Sequence, residues 1–183
     1  METFADYMLA EENYIKKIEI AYYLSKRERL FFDKSVIFKT ELARMFIDTM
    51  KIDVDRNLVI TACLLYACRK STNPSDISKI KSYAKDGAQY LELLGFDEKF
   101  CNICEQVNRY SDIEPRTKEG DILELVDNFG GMLLHRPERK GFPLDEALIL
   151  LKHRNLKDKG NQYLEKFVEF VNIEEGVTVW MKI

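Results

Sequence analysis

At 183 residues, 46% of them apolar, the chain has the length of a single domain and needs no disulfide or metal staple to fold. A net charge of −3, with Lys and Arg scattered among Asp and Glu, offers no basic stripe to follow a phosphate backbone, which argues against a nucleic-acid partner. Eight glycines and only four prolines supply little material for turns, so an all-α fold is expected over a sandwich or barrel.

Taken in chain order, the hydrophobic spacing is helical almost throughout. Phe4, Met8 and Leu9 open a run continued by Tyr14, Ile15, Ile18, Tyr22 and Tyr23, which Lys26-Arg27-Glu28-Arg29 ends. Val36 to Met50 is expected as a second helix, and Arg56 to Cys68 as a third, capped by Asp53 or Asp55 and buried on every face. Asn73-Pro74-Ser75-Asp76 starts a segment running to Leu94, as one helix or as two broken near Asp86-Gly87. Asp97 caps Glu98 to Tyr110, and Ile113 to Gly120 reads as a loop. A helix from Asp121 should weaken at Gly130-Gly131, Pro143 should open Leu144 to His153, and a last helix should cover 157–172. The tail, Val177 to Ile183, alternates like a short strand. Leu64, Leu65, Ile103, Leu125, Leu148 and Phe167 are the expected core.

The longest apolar stretch, Leu58 to Cys68, is interrupted by Thr61 and falls far short of the roughly 20 residues that span a bilayer. Met1 leads into Glu2-Thr3-Phe4-Ala5-Asp6 without a basic leader. The expectation is a cytoplasmic chain with no membrane partner, its cysteines reduced.

Two stretches carry a family resemblance. One is Ile122 to Phe129, ending around Asp127, followed by Arg136-Pro137-Glu138-Arg139-Lys140-Gly141 and then Leu144-Asp145-Glu146-Ala147-Leu148. The other is Ala62 to Lys70, with Tyr83-Ala84-Lys85-Asp86-Gly87-Ala88 and Leu93-Leu94-Gly95-Phe96 between them. Together they resemble the HD superfamily of metal-dependent phosphohydrolases, in its HD-GYP branch of cyclic di-GMP phosphodiesterases. The resemblance implies a helical bundle over residues 35–172, with 1–34 as an N-terminal helical extension and 173–183 as a tail.

It also implies two or three divalent metals, held by imidazoles and carboxylates, that activate a bridging hydroxide. The ligand positions have changed. Tyr66-Ala67 stands at the His-Asp pair, Tyr83 at the next histidine, Glu105 to Asn108 at the paired histidines, and Gly130 at the second aspartate. No histidine lies near Ser35, and the loop that names the branch is missing. Asp127 alone remains of the ligand set. One carboxylate cannot hold a binuclear centre, so no metal, no cofactor and no catalysis are expected.

The remaining chemistry-bearing residues allow several uses. Cys101 and Cys104 have the two-residue zinc spacing, with Cys63 and Cys68 elsewhere; packing inside helices accounts for all four. His135 stands beside Arg136, Arg139 and Lys140, a basic turn that resembles the family's phosphate-contacting residues and reads either as a phosphate site or as a solvated loop. His153 suits a helix C-terminus. Tyr7, Tyr14, Tyr22 and Tyr23, with Phe31-Phe32, pack on their own domain or form a dimer or partner surface.

Three functions follow as expectations. The first is a non-catalytic regulatory or adaptor domain acting by protein–protein contact in bacterial signalling, with another protein or itself as partner. The second is a nucleotide or cyclic dinucleotide sensor using 136–140. The third is an HD-type phosphohydrolase with relocated metal ligands.

Overall fold

The fold is all-α. The computed structural model describes residues 3–28, 30, 32–70, 77–108, 111, 113–135, 139–155 and 160–173, with backbone alone for 77–80 and 154–155. Among them are α1 (Phe4–Ala10), α2 (Tyr14–Arg27), α3 (Ser35–Met50), α4 (Arg56–Leu65), α5 (Ile77–Leu93), α6 (Glu98–Gln106), α7 (Lys118–Leu133), α8 (Leu144–Leu150) and α9 (Leu164–Ile173). A π-helical turn, Leu151–Asn155, continues α8. The described residues contain no β-sheet, and the expected tail strand lies outside them. No helix among them is long and apolar enough to cross a membrane.

The helix starts follow from local capping chemistry. Asp55 accepts from the Leu58 amide and Asp97 from the Phe100 amide, so both expected carboxylate caps form. Several boundaries differ from the sequence reading: α6 ends at Gln106, α7 starts at Lys118, α8 ends at Leu150 and α9 starts at Leu164, and two further differences have a clear local cause. The first amphipathic run is two helices, because Asn13 caps a new start by accepting from the Lys16 amide. The Arg56 helix ends at Leu65, and Tyr66 to Arg69 turn instead of continuing it. Asp86-Gly87 does not break α5. Gly95, at φ +96°, follows the turn that ends it, a backbone angle that glycine adopts without strain.

The bundle is organised on α4. Val59 to Leu65 are all buried, and α1, α2, α3, α6 and α7 each pack against this helix. Leu64, Leu65, Ile103, Leu125 and Phe167 lie in one hydrophobic cluster, while Leu148 packs on it partly buried. Ala5, Met8, Ala21 and Leu24 belong to the same cluster, so the first two helices share the core of the following ones. Phe46 of α3 meets the rings of Phe167 and Phe170 of α9 at 5.1 and 5.5 Å.

One core position is costly. Lys17 of α2 is 1% exposed, and its ammonium donates to the Thr61 hydroxyl with no carboxylate bonded to it. Burial pulls its pKa down to about 8, against the opposing pull of Asp55 and Glu11. Since the unfolded lysine holds its proton to a higher pH, folding stability rises between about pH 8 and 10.5. Lys17→Met is expected to add about 1–3 kcal/mol at pH 7 and to flatten that rise, as read by urea unfolding at pH 7 and pH 10. A loss of stability at pH 7 would show that the ammonium is needed in place.

Candidate functional site

The residues singled out in the turn after α4, on α5 and on α7 converge. Asp127 lies on α7, Tyr66 in the turn after α4 and Tyr83 on α5. The Tyr66 hydroxyl donates to Asp127 Oδ1 at 2.5 Å, and the Tyr66 and Tyr83 ring centroids are 6.4 Å apart. Tyr66 thus lies directly beside the Asp127 carboxylate, with Tyr83 next to it. Ala67 is buried next to Tyr66.

The decisive residue was missed in the sequence. Lys39 of α3 is fully buried, and its Nζ donates to Asp127 Oδ1 at 2.6 Å and to the Tyr66 hydroxyl at 3.0 Å. The ammonium, carboxylate and phenol form a closed triangle. Burial raises the Asp127 pKa, but the charges of Lys39 and then Lys70, with hydrogen bonds from Lys39 and Tyr66, outweigh it and hold the carboxyl below its ordinary value. The Tyr66 phenol is pushed well up, by burial first and by Asp127 second, so it stays a neutral donor.

Gly130 explains how Lys39 reaches this place. A Cβ there would lie 2.9 Å from Lys39 Cγ and 3.4 Å from the Phe38 ring. Only a glycine lets the stem of Lys39 cross α7 at this level. The expected weakening of the helix at Gly130-Gly131 does not occur, and α7 continues to Leu133. Gly87 serves a similar approach, since a Cβ there would stand 3.0 Å from the Tyr66 carbonyl oxygen.

A second ion pair borders the first. Lys70 Nζ meets Asp33 Oδ2 at 2.8 Å and lies 5.9 Å from the Tyr83 ring centre. The Ser35 amide donates to Asp33 Oδ1. Burial favours the neutral acid, but the Lys70 charge, its hydrogen bond and that of Ser35 carry the Asp33 pKa far below its ordinary value. Two lysines thus face two aspartates.

A binuclear metal centre does not fit this donor set. Asp127 Oδ1 is committed to an ammonium and a phenol, and a divalent cation would have to displace a buried like charge. No group of three His, Cys, Asp or Glu suited to a metal exists among the described residues. Gln106 donates to the Pro115 carbonyl and accepts from the Thr117 amide and hydroxyl, and Asn108 donates to the Lys81 carbonyl, so both are committed to backbone and loop contacts.

No family model, curated protein or solved structure matches the chain.

The basic turn is also built in. Arg139 donates to the carbonyls of Gly131 at 2.7 Å, Lys140 at 3.1 Å and Met132 at 3.2 Å, and its guanidinium lies 4.9 Å from the centre of the Phe142 ring. It closes the C-terminus of α7. His135 Nδ1 accepts from the Gly141 amide at 3.1 Å. Lys140 is exposed, and Arg136 lies outside the described residues. His153 is exposed in the π-helical turn.

All four cysteines are free and buried. Burial pushes the Cys101 thiol up to about 11 and the Cys68 thiol up to about 12, and carries Cys63 and Cys104 upward too. Thiols so held are poor nucleophiles and packing residues.

Proposed function

We propose that this chain is a non-catalytic regulatory or adaptor domain of HD-GYP-like build, acting by protein–protein contact in bacterial signalling. The observation that carries this reading is the Lys39–Asp127 pair. A buried ammonium lies against the carboxylate that the family resemblance assigns to metal binding, and it neutralises that carboxylate. A charge that would recruit a metal is thereby spent on holding α3 to α7, and no activated hydroxide can be generated. The sensor alternative draws no support from Arg139, whose donors serve carbonyls of its own chain.

The surface supports a contact role. Between α2 and α3 runs an apolar groove of about 610 Å³, walled by Ile15, Ile18, Ile37, Phe38, Leu42 and Met45. Ile15 on its rim is 62% exposed. An open apolar channel between two surface helices is the kind of feature that marks an interaction site.

The test is to incubate the purified chain with cyclic di-GMP and Mn²⁺ or Mg²⁺ and to follow linear dinucleotide by chromatography. No turnover above the no-protein control is expected. Turnover that disappears in Asp127→Ala would refute the reading and restore the phosphohydrolase.

A further inference from the structure

Resting on the reading of a contact module, we propose that the occupant of the α2–α3 groove is α2 of a second copy of this chain, the two copies related by a two-fold axis. The two helices run antiparallel. The Tyr14 hydroxyl at the start of α2 meets the Ile37 carbonyl at 3.4 Å, and the Tyr22 ring further along α2 meets Phe32, before α3, at 5.6 Å. A two-fold axis across α2 makes the incoming α2 antiparallel to its counterpart and therefore parallel to α3. Each groove then receives the other copy's helix, and four helices close into one bundle.

Charge complementarity sets the register. Along α3, Lys34 and Glu41 both line the groove, seven residues apart. Along the outer edge of α2, exposed Glu19 and Lys26 are also seven apart, in the opposite order of sign. Seven residues are two helical turns, so in a parallel pairing Glu19 of one copy meets Lys34 of the other while Lys26 meets Glu41, which also holds Arg44 at 2.5 Å. With Tyr14 level with Ile37 and Tyr22 level with Phe32, the same register brings Ile18 of each copy opposite residues 18–21 of the other, beside the two-fold axis. Each ionic pair occurs twice, as an isologous interface requires.

The size predicts the strength. Helices of 14 and 16 residues are about 21 and 24 Å long, and side by side they present a footprint of roughly 400 Å² per copy. That lies at the small end of specific interfaces, so a reversible dimer with a dissociation constant on the order of 10–100 µM is expected.

Sedimentation equilibrium of the full chain between about 1 and 500 µM tests this. Wild type should move from monomer to dimer across that range. Glu19→Lys should weaken association at least about tenfold, Lys34→Glu likewise, and the double variant Glu19→Lys/Lys34→Glu should recover to within about threefold of wild type. Both side chains are exposed, and circular dichroism melts should coincide for all four proteins. A monomer at every concentration, single variants that dimerise like wild type, or a double variant without recovery would overturn the proposal. So would a monomer whose groove takes up a fatty acid or a foreign amphipathic peptide. None of these results touches the cyclic di-GMP assay, which alone decides whether the chain is a catalyst.

Discussion

Replacing Lys39 with methionine is expected to destabilise the fold by about 3–5 kcal/mol at pH 7, because the substitution leaves the Asp127 carboxylate inside the protein without its counter-charge. For a domain of this length that is a fall in Tm of roughly 10 °C. The Asp127 side chain is 19% exposed, which is enough for water to soften the penalty but not to remove it. The pH dependence separates this account from a simple packing defect. In wild type the Asp127 pKa is held below its ordinary value, so its contribution is present above about pH 4 and is lost as pH falls through the folded value. In Lys39→Met the only bonded partner left is the Tyr66 phenol, and burial should raise the pKa instead. The variant should then gain stability as pH falls toward 4, opposite to wild type. Urea unfolding at about pH 3, 4, 5 and 7 reads both signs. A variant that loses stability on acidification as wild type does would contradict the role assigned to Lys39.

An effect of similar size is expected at Arg116. Its Nε donates to Asp121 Oδ1 and its Nη2 to Glu124 Oε2, both at 2.7 Å, and Glu124 is fully buried. Asn161 donates to the Asp121 carbonyl and to Glu124 Oε2, and Gln162 Nε2 to Asp121 Oδ2. One guanidinium therefore ties the turn after α6, the first turns of α7 and the segment leading into α9. Arg116→Leu takes the guanidinium away from two buried carboxylates and should cost about 3–5 kcal/mol. Arg116→Lys should recover only part of this, since an ammonium cannot reproduce the fork that spans both acids. Equal stability of the lysine variant and wild type in urea would show that charge alone, without the planar geometry, is sufficient.

The sequence is most legible where structure is local. Asp55 and Asp97 cap helices by reaching three residues along the chain, and α4 is apolar on all sides because it is enclosed on all sides. Asn13 carried an equally local signal, overlooked because the hydrophobic run continues through it. Gly130 could not be interpreted from the chain alone. Read locally, two glycines weaken a helix; in the fold the first of them makes room for a side chain from a helix about ninety positions earlier.

Lys39 left a faint trace. It falls between Val36 and Ala43 on the stripe of α3 that faces the core, where an apolar residue belongs, and Lys17 sits in the same way between apolar neighbours on α2. A lysine at a core position is a question about its partner, and the partner is fixed only by tertiary packing. Arg116 left no trace at all, since it stands in an irregular turn with no periodicity to violate. Tyr66 donates to Asp127 and its ring lies 6.4 Å from that of Tyr83, but this ring packing explains only half of the site. The other half is charge balance between two lysines and two aspartates that lie far apart in sequence.

Asp127 is neutralised chiefly by Lys39, with Lys70 as a second charge, and by no metal. The measurement is urea unfolding of wild type, Lys39→Met, Asp127→Leu and the double variant Lys39→Met/Asp127→Leu, each with and without about 5 mM Mn²⁺. The prediction is a coupling of about 3 kcal/mol, with the double variant within about 1 kcal/mol of wild type because an apolar pair replaces a buried ionic one, and no change with Mn²⁺ in any of the four. Additive losses in the double variant, or stabilisation by Mn²⁺ that wild type shows and Asp127→Leu does not, would contradict it.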